Sequence, residues 1–225
     1  MHFDATAFLR LDAPGSLGSS AAGASFATST GDILEATCYG PGVFRLRVGP
    51  DTRPDYGLVQ GRRKACTVAV ANGATTLTHG DSALEIAGQP LSFRLLRKGA
   101  PVFGSITDRL VHGFTRLPAF GRLRQGGRWT AAFALGSGEP VFGLGEKFGP
   151  LDKRGQLIHS QVEDAHGVNT GLSSKNTPFA WSTGGGRGAW GMFVATPGYV
   201  AHGVGYPDWS HRSYAVVVDD EALDL

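Results

Sequence analysis

Apolar residues in this chain recur at every second position, in runs of strand length. Val43 to Val48, VFRLRV, shows the pattern in miniature. Phe44, Leu46 and Val48 fall on one face and Arg45 and Arg47 on the other, which predicts a strand with one face buried and one wet. Asp32 to Tyr39, Cys66 to Val70, Ser82 to Ala87, Leu91 to Leu96, Thr130 to Leu135, Ala189 to Ala195 and Ser213 to Val218 alternate or run apolar over similar lengths. Turn signals separate them: Tyr39-Gly40-Pro41-Gly42, Ala71-Asn72-Gly73, Gly88-Gln89-Pro90 and Arg97-Lys98-Gly99. The 34 glycines and 12 prolines suit many tight turns, each needing a positive or a fixed φ. Ala71-Asn72-Gly73 is the best hairpin candidate, because Asn-Gly favours a type I′ turn. Helical spacing of apolar residues is almost absent. The pattern predicts an all-β fold, an antiparallel sandwich of two sheets forming one domain over residues 1–225. Asp12 to Thr30, poor in large apolar residues, is read as an irregular surface segment.

Charge excludes several partners. The formal net charge is +2, which gives no reason to expect nucleic acid or an anionic membrane. Arg62-Arg63-Lys64 and the basic residues from Arg122 to Arg128 are flanked or interrupted by glycines and read as solvated turns. No window approaches the ~18 apolar residues of a membrane helix. The opening MHFDATAFLRLDAPG lacks a basic stretch followed by an uninterrupted apolar one, so a soluble, cytoplasmic protein is expected. Cys38 and Cys66 each sit in an apolar run and are expected to be buried free thiols, with a single disulfide as the alternative.

Several chemistries find no support. Gly143-Leu144-Gly145-Glu146-Lys147-Phe148-Gly149 is glycine-rich, but the spacing is wrong for a dinucleotide and Pro150 interrupts any helix that would follow. His159 and His166, and likewise His202 and His211, lack the i, i+4 spacing of a zinc protease; no metal and no cofactor are expected. There is no Gly-x-Ser-x-Gly elbow. Glu163 and Asp164 are adjacent, so on a strand they would point to opposite faces and are poor candidates for the two members of one catalytic pair. One of them can still reach a ligand while the other is solvated. Of the tryptophans Trp129, Trp181, Trp190 and Trp209, most are expected in the core.

Both acids lie in the long polar stretch from Val141 to Ser182, which joins two apolar runs. Five short motifs stand there and just beyond in one order: Phe142 to Phe148 (FGLGEKF), Leu151 to Gly155 (LDKRG), Glu163-Asp164, Ser174 to Phe179 (SKNTPF) and Trp190 to Val194 (WGMFV). This order resembles the N-terminal galactose-mutarotase-like domain of glycoside hydrolase family 31, which includes α-glucosidases and α-xylosidases. The tail from Glu221 to Leu225 resembles the strand that hands the chain to the barrel in that family. Gly143 and Gly145 are read as points of close backbone approach or unusual φ. Asp152 and Arg154 are read either as an ion pair at the base of the loop or as a turn with solvated charges. Pro178 is expected to start a strand at a sheet edge.

The resemblance implies a two-sheet antiparallel supersandwich. It also implies that no catalytic residue lies in this chain, because the family's catalytic aspartates belong to a C-terminal (β/α)₈ barrel that is absent here. The implied role is to support that barrel and to lend one loop to a pocket for an α-linked glucoside or xyloside. By position, Asp164 is the residue expected to contact a sugar hydroxyl, with Glu163 second; a carboxylate accepts such bonds strongly. An exposed apolar patch is expected where the barrel would pack. The alternative is a free-standing sugar-binding or aldose-epimerase-like protein on the same fold. Glu163 or Asp164 would then work with His159, His166 or His202 as acid and base.

Overall fold

The structure, a computed structural model, describes residues 8–106, 109–111, 115–124, 127–162 and 175–225. All strand pairings among them are antiparallel. Six strands form the largest sheet, in the spatial order Phe8–Arg10, Phe120–Leu123, Arg128–Ala134, Ser213–Asp219, Tyr199–Val204 and Gln156–Ser160. An N-terminal sheet runs Gly15–Ser20, Gly23–Ala27, Ile33–Gly40, Val43–Gly49 and Leu223–Asp224, so its last strand comes from the far end of the chain. A third sheet is a simple meander of Thr67–Ala71, Ala74–His79, Ser82–Gly88, Leu91–Arg97 and Ala100–Gly104. A small sheet of Phe142–Gly143, Phe179–Ser182 and Trp190–Phe193 completes the core, and Arg109–Val111 pairs with Thr115–Leu117.

One apolar core joins these sheets. Phe133, Tyr214 and Val216 of the six-stranded sheet pack in one cluster with Leu34 and Val48 of the N-terminal sheet and Leu84 and Phe93 of the meander. Burying such a side chain is worth about 1.5–3 kcal/mol before entropy is counted. Aromatic rings carry the core toward the small sheet. Phe103 stacks on Trp190 at 4.2 Å, Trp190 on Tyr214 at 6.2 Å, and Tyr214 on His202 at 6.0 Å. Trp129, Trp190 and Trp209 are buried, as expected of most of the tryptophans, and Trp181 is exposed.

The six-stranded sheet is buried on both faces. Ala132, Ala201, Ala215 and Val217 of its second face form a separate cluster with Leu117 and Trp209. The Trp209 ring lies so close to Gly203 that a Cβ there would stand 2.2 Å from it. A strand covered on both sides has no wet face, which is why SYAVVV runs apolar instead of alternating.

The turn chemistry follows the sequence. Asn72 and Gly73 take φ of 52° and 75° and join Thr67–Ala71 to Ala74–His79 with Ala71 opposite Ala74. Lys98 and Gly99 turn in the same way, at φ 50° and 77°. Both cysteines are free thiols; Cys38 is buried and Cys66 only half-buried, with burial raising the pKa of Cys66 and nearby Cys38 adding to the rise. Among the described residues no helix is long and apolar enough to cross a membrane.

Three expectations are corrected. Asp12 to Thr30 is not irregular: it contains the hairpin Gly15–Ser20 and Gly23–Ala27, with Ala24 and Phe26 buried. Close approach requires a glycine at one point, since a Cβ on Gly23 would stand 2.1 Å from the Ala36 carbonyl oxygen; Gly15–Ser20 is largely exposed. The arginine face of Val43–Gly49 is not wet. Arg45 forks onto Asp224, Nε to Oδ1 at 2.7 Å and Nη2 to Oδ2 at 2.5 Å, and Arg47 reaches the same carboxylate at 3.3 Å. Finally, Arg122 does not sit in a solvated turn, since its Nη1 donates to both oxygens of buried Asp32 and its guanidinium lies 5.1 Å from the Trp129 ring centre.

Candidate functional site

Glu163, Asp164 and His166 lie outside the described residues, and the site is therefore built from the two roots of the segment that carries them. The upstream root is the edge strand Gln156–Ser160 with Gln161 and Val162; the downstream root is Lys175 to Pro178. Between them and Thr196 to Tyr199 lies a cleft of about 790 Å³, lined among others by Ser160, Gln161, Asn176, Thr196, Tyr199 and Asp219. Hydroxyls, amides, one carboxylate and one aromatic ring stand among apolar Val162, Pro178 and Pro197, a mixed lining compatible with a neutral hydroxylated ligand. A second recess, of about 620 Å³, is bounded by Phe44, Leu84, Phe93, Phe103 and Met192 and is apolar apart from Tyr39 and Arg45 at its side. Its chemistry does not suit a sugar.

Gly143-Leu144-Gly145 builds the downstream root. All three residues have positive φ, 98°, 67° and 83°. A left-handed Leu costs about 1–2 kcal/mol, offset here by complete burial of its side chain. The bend lays the backbone against the partner strand. Leu144 N donates to the Phe179 carbonyl at 2.9 Å and Glu146 N to the Lys175 carbonyl at 3.0 Å. A Cβ on Gly143 would stand 2.3 Å from the Phe179 oxygen, and one on Gly145 2.6 Å from the Lys175 oxygen. Both glycines therefore serve close approach, as expected. Phe179–Ser182 does begin directly after Pro178, but it is the middle strand of the small sheet and not an edge, since Phe142–Gly143 supplies the other neighbour.

Lys147 continues from this bend and crosses to the upstream root. Its Nζ donates to the His159 carbonyl at 2.9 Å and to Asn176 Oδ1. Burial lowers its pKa, and the charge of Lys153 lowers it further. Asp152 and Arg154 do not pair with each other. Asp152 Oδ1 accepts the N–H groups of Val141 and Arg154, both at 3.0 Å, while Arg154 donates to the carbonyls of Glu139 and His211. The base of the segment is thus closed by side chain to backbone bonds.

His159 and His202 are structural. His202 is fully buried, with Nε2 3.0 Å from Ser160 Oγ and Nδ1 2.8 Å from Tyr214 OH. A neutral imidazole has one donor and one acceptor, so both nitrogens are satisfied. Burial pushes its pKa down to about 3 and raises that of Tyr214. Such a histidine cannot reach a substrate, which removes it from the acid–base pair that an epimerase needs. His159 Nδ1 bonds Tyr199 OH, and burial lowers its pKa as well.

Sequence reasoning did not single out Glu139, which is fully buried. Its carboxylate accepts the Gly136 N–H at 2.6 Å, the Trp190 indole N–H at 2.6 Å and an Arg187 N–H. Burial raises its pKa, but these donors together bring it below the ordinary carboxylate value. A lone acid before Pro140 carries no signal of this; only the fold brings Gly136, Arg187 and Trp190 to it.

Comparison with known proteins agrees with this architecture. Residues 33–201 match the model of the glycosyl hydrolase 31 N-terminal galactose mutarotase-like domain. The chain is 42% identical over 71 residues, 32% of its length, to an α-xylosidase of Emericella nidulans, of which those residues make up 8%. Among solved structures it is similar to the cycloalternan-forming enzyme of Listeria monocytogenes, with a TM-score of 0.77 at 16% identity over 96% of this chain and 20% of that one. A family 31 dextranase of Flavobacterium johnsoniae gives 0.76 at 16% identity over 96% of this chain and 26% of that one. A family 31 α-xylosidase from a soil metagenome gives 0.67 at 15% identity, over 92% and 31%. At these identities the structural likenesses show the fold alone. The chain spans less than a third of each of these proteins.

Proposed function

Since this chain belongs to the glycosyl hydrolase 31 N-terminal galactose mutarotase-like domain family, we propose that it is a non-catalytic, carbohydrate-binding part of an α-glycosidase. In this reading it supports a catalytic barrel and presents Asp164, with Glu163 beside it, to an α-linked glucoside or xyloside. The single observation that supports the reading best is the closure of the roots of the 163–174 segment. The motif residues Gly143, Gly145 and Lys147 meet Asn176 and Phe179 there, beside a cleft of hydroxyls and amides. A carboxylate held at such a place accepts sugar hydroxyls through charge-assisted bonds.

The experiment has two arms. Aryl α-glucosides and aryl α-xylosides incubated with the purified chain should release no aglycone, because in this reading the catalytic carboxylates belong to the barrel. Methyl α-xyloside or methyl α-glucoside added to the ¹⁵N-labelled chain should shift amide signals of the 160–178 region, and Asp164→Ala should abolish the shift. Sustained turnover that survives repurification would sink the non-catalytic reading; a flat titration with both glycosides would sink the carbohydrate-binding one.

A further inference from the structure

Two of the cleft's walls are far apart in sequence. Ser160 to Val162 form one, and Asn176 and Pro178 belong to the other. Each wall adjoins a different strand, the first at the end of Gln156–Ser160 and the second just before Phe179–Ser182, and the pairings that hold those strands lie in different sheets: Gln156–Ser160 pairs with Tyr199–Val204, whereas Phe179–Ser182 pairs with Phe142–Gly143 and Trp190–Phe193. Neither sheet by itself sets the distance between the walls.

Lys147 bridges them. Its ammonium donates to the His159 carbonyl, one residue before the first wall, and to the Asn176 side chain in the second. A lysine ammonium only donates, so it fixes which end of the Asn176 amide faces it: Oδ1 is held by the ammonium and Nδ2 is turned away. Asn176 Nδ2 is buried and has no hydrogen-bond partner among the described residues. A buried amide N–H without an acceptor is costly, and a fold retains one where an acceptor arrives with a ligand or a water. Lys147 itself is anchored by the bend before it, through the Glu146 N–H on the Lys175 carbonyl.

We propose that Lys147 is a positioning residue for sugar recognition: by tying the His159 carbonyl to the Asn176 amide it sets the width of the cleft and the orientation of Asn176. The proposal rests on the carbohydrate-binding reading above. Lys147 acts through the walls and does not itself meet the sugar. A guanidinium at 147 can make the same two donations, whereas a methionine keeps the apolar stem and makes neither.

Lys147→Met, Lys147→Arg, Asn176→Ala and the Lys147→Met/Asn176→Ala double variant test this with two readouts. Amide hydrogen exchange reads the tie. In Lys147→Met, amides of Ser160 to Val162 and of Lys175 to Thr177 should exchange about tenfold faster, while those of Ser213–Asp219 stay protected. Titration of the ¹⁵N-labelled chain with methyl α-xyloside or methyl α-glucoside reads recognition. Lys147→Met should weaken binding about tenfold, the loss expected for a charge-assisted hydrogen bond. Lys147→Arg should restore most of it, and the double variant should lose less than the sum of the two single changes, because they remove one shared bond. Unchanged exchange at both walls, or faster exchange spread equally over Ser213–Asp219, overturns the tie. Wild-type binding with undiminished affinity in Lys147→Met overturns the role of Lys147 alone. A wild-type chain that responds to neither glycoside overturns the carbohydrate-binding reading and this proposal with it.

Discussion

Trp190 donates its indole N–H to Glu139 Oε1 at 2.6 Å, inside a carboxylate environment that solvent does not reach. The bond joins the small sheet to the stretch between Arg128–Ala134 and the Gly143 bend. Glu139 thereby fixes the frame on which the cleft is built.

Glu139→Gln should be among the most destabilising isosteric changes in the chain. The new amide group brings donors toward the Gly136 N–H and Arg187, which are donors themselves. A loss of about 2–4 kcal/mol is expected, read as a shift of the urea midpoint at pH 7. The folded pKa lies below the ordinary carboxylate value, so the carboxylate's contribution is present above about pH 4.5 and fades as the pH falls through the folded value. The variant should lack that part of the acid sensitivity; an unchanged acid profile would count against the assignment.

His202 predicts a second and higher window of pH dependence. It is neutral when folded, with a pKa of about 3, and titrates near its ordinary value when unfolded. The unfolded state therefore binds more protons between these values, and stability rises with pH from about 3 to 6.5 and is flat above that for this group. Each unit of pH below about 6.5 should remove up to about 1.4 kcal/mol, with His159 adding in the same direction. Urea unfolding of the wild type and of His202→Gln at pH 7, 6 and 5 checks this. The variant should show a visibly shallower slope, and equal slopes would refute the prediction.

Gly145→Ala should fail at the bend. A Cβ there meets the Lys175 oxygen at 2.6 Å and the Thr177 nitrogen at 2.7 Å, at a φ of 83°. The backbone must move apart, breaking the Glu146 to Lys175 bond. About 2 kcal/mol or more of stability should be lost, together with hydrogen-exchange protection at residues 175–179. Gly99→Ala is the control: it shares the positive φ, but a Cβ there would meet nothing within 4 Å. It should cost less and leave the cleft untouched.

Phe179 and Trp181 alternate outward from one strand, 40% and 42% exposed, with Phe142 4.8 Å from Trp181 across the pair. Aromatic faces of this kind drive association. The chain should sediment with a concentration-dependent coefficient, and Trp181→Gln should reduce that dependence while moving the urea midpoint little. A monodisperse monomer at high concentration would refute the prediction.

The strands were legible where large side chains carried alternation or a continuous apolar run. Ile33–Gly40, Ser82–Gly88, Leu91–Arg97 and Ser213–Asp219 fall within a residue or two of their expected bounds. Gly15–Ser20 and Gly23–Ala27 were not, because small and polar residues carry almost no apolar alternation, and such a stretch reads as loop. The covered arginines were missed for a different reason. Arg45 and Arg47 alternate like a wet face, and what covers them is Asp224 from the other end of the chain. At the site, the glycines of the bend were legible as close approaches, since few other roles explain two of them flanking a leucine. Glu139, Lys147 and His202 were not, because each acquires its role from partners on other elements: Trp190, Asn176 and Tyr214.

The strand Leu223–Asp224 also orders events in time. Its partner, Val43–Gly49, is made early, yet Arg45 and Asp224 are 179 residues apart and cannot meet until Asp224 has been synthesised. Until then the edge of Val43–Gly49 stays open to other strands, and closing it is a long-range step of the kind that folds slowly. A nascent chain halted just short of Leu223 would hold most of the sandwich but keep that edge exposed, in the state in which a growing β protein most needs a chaperone.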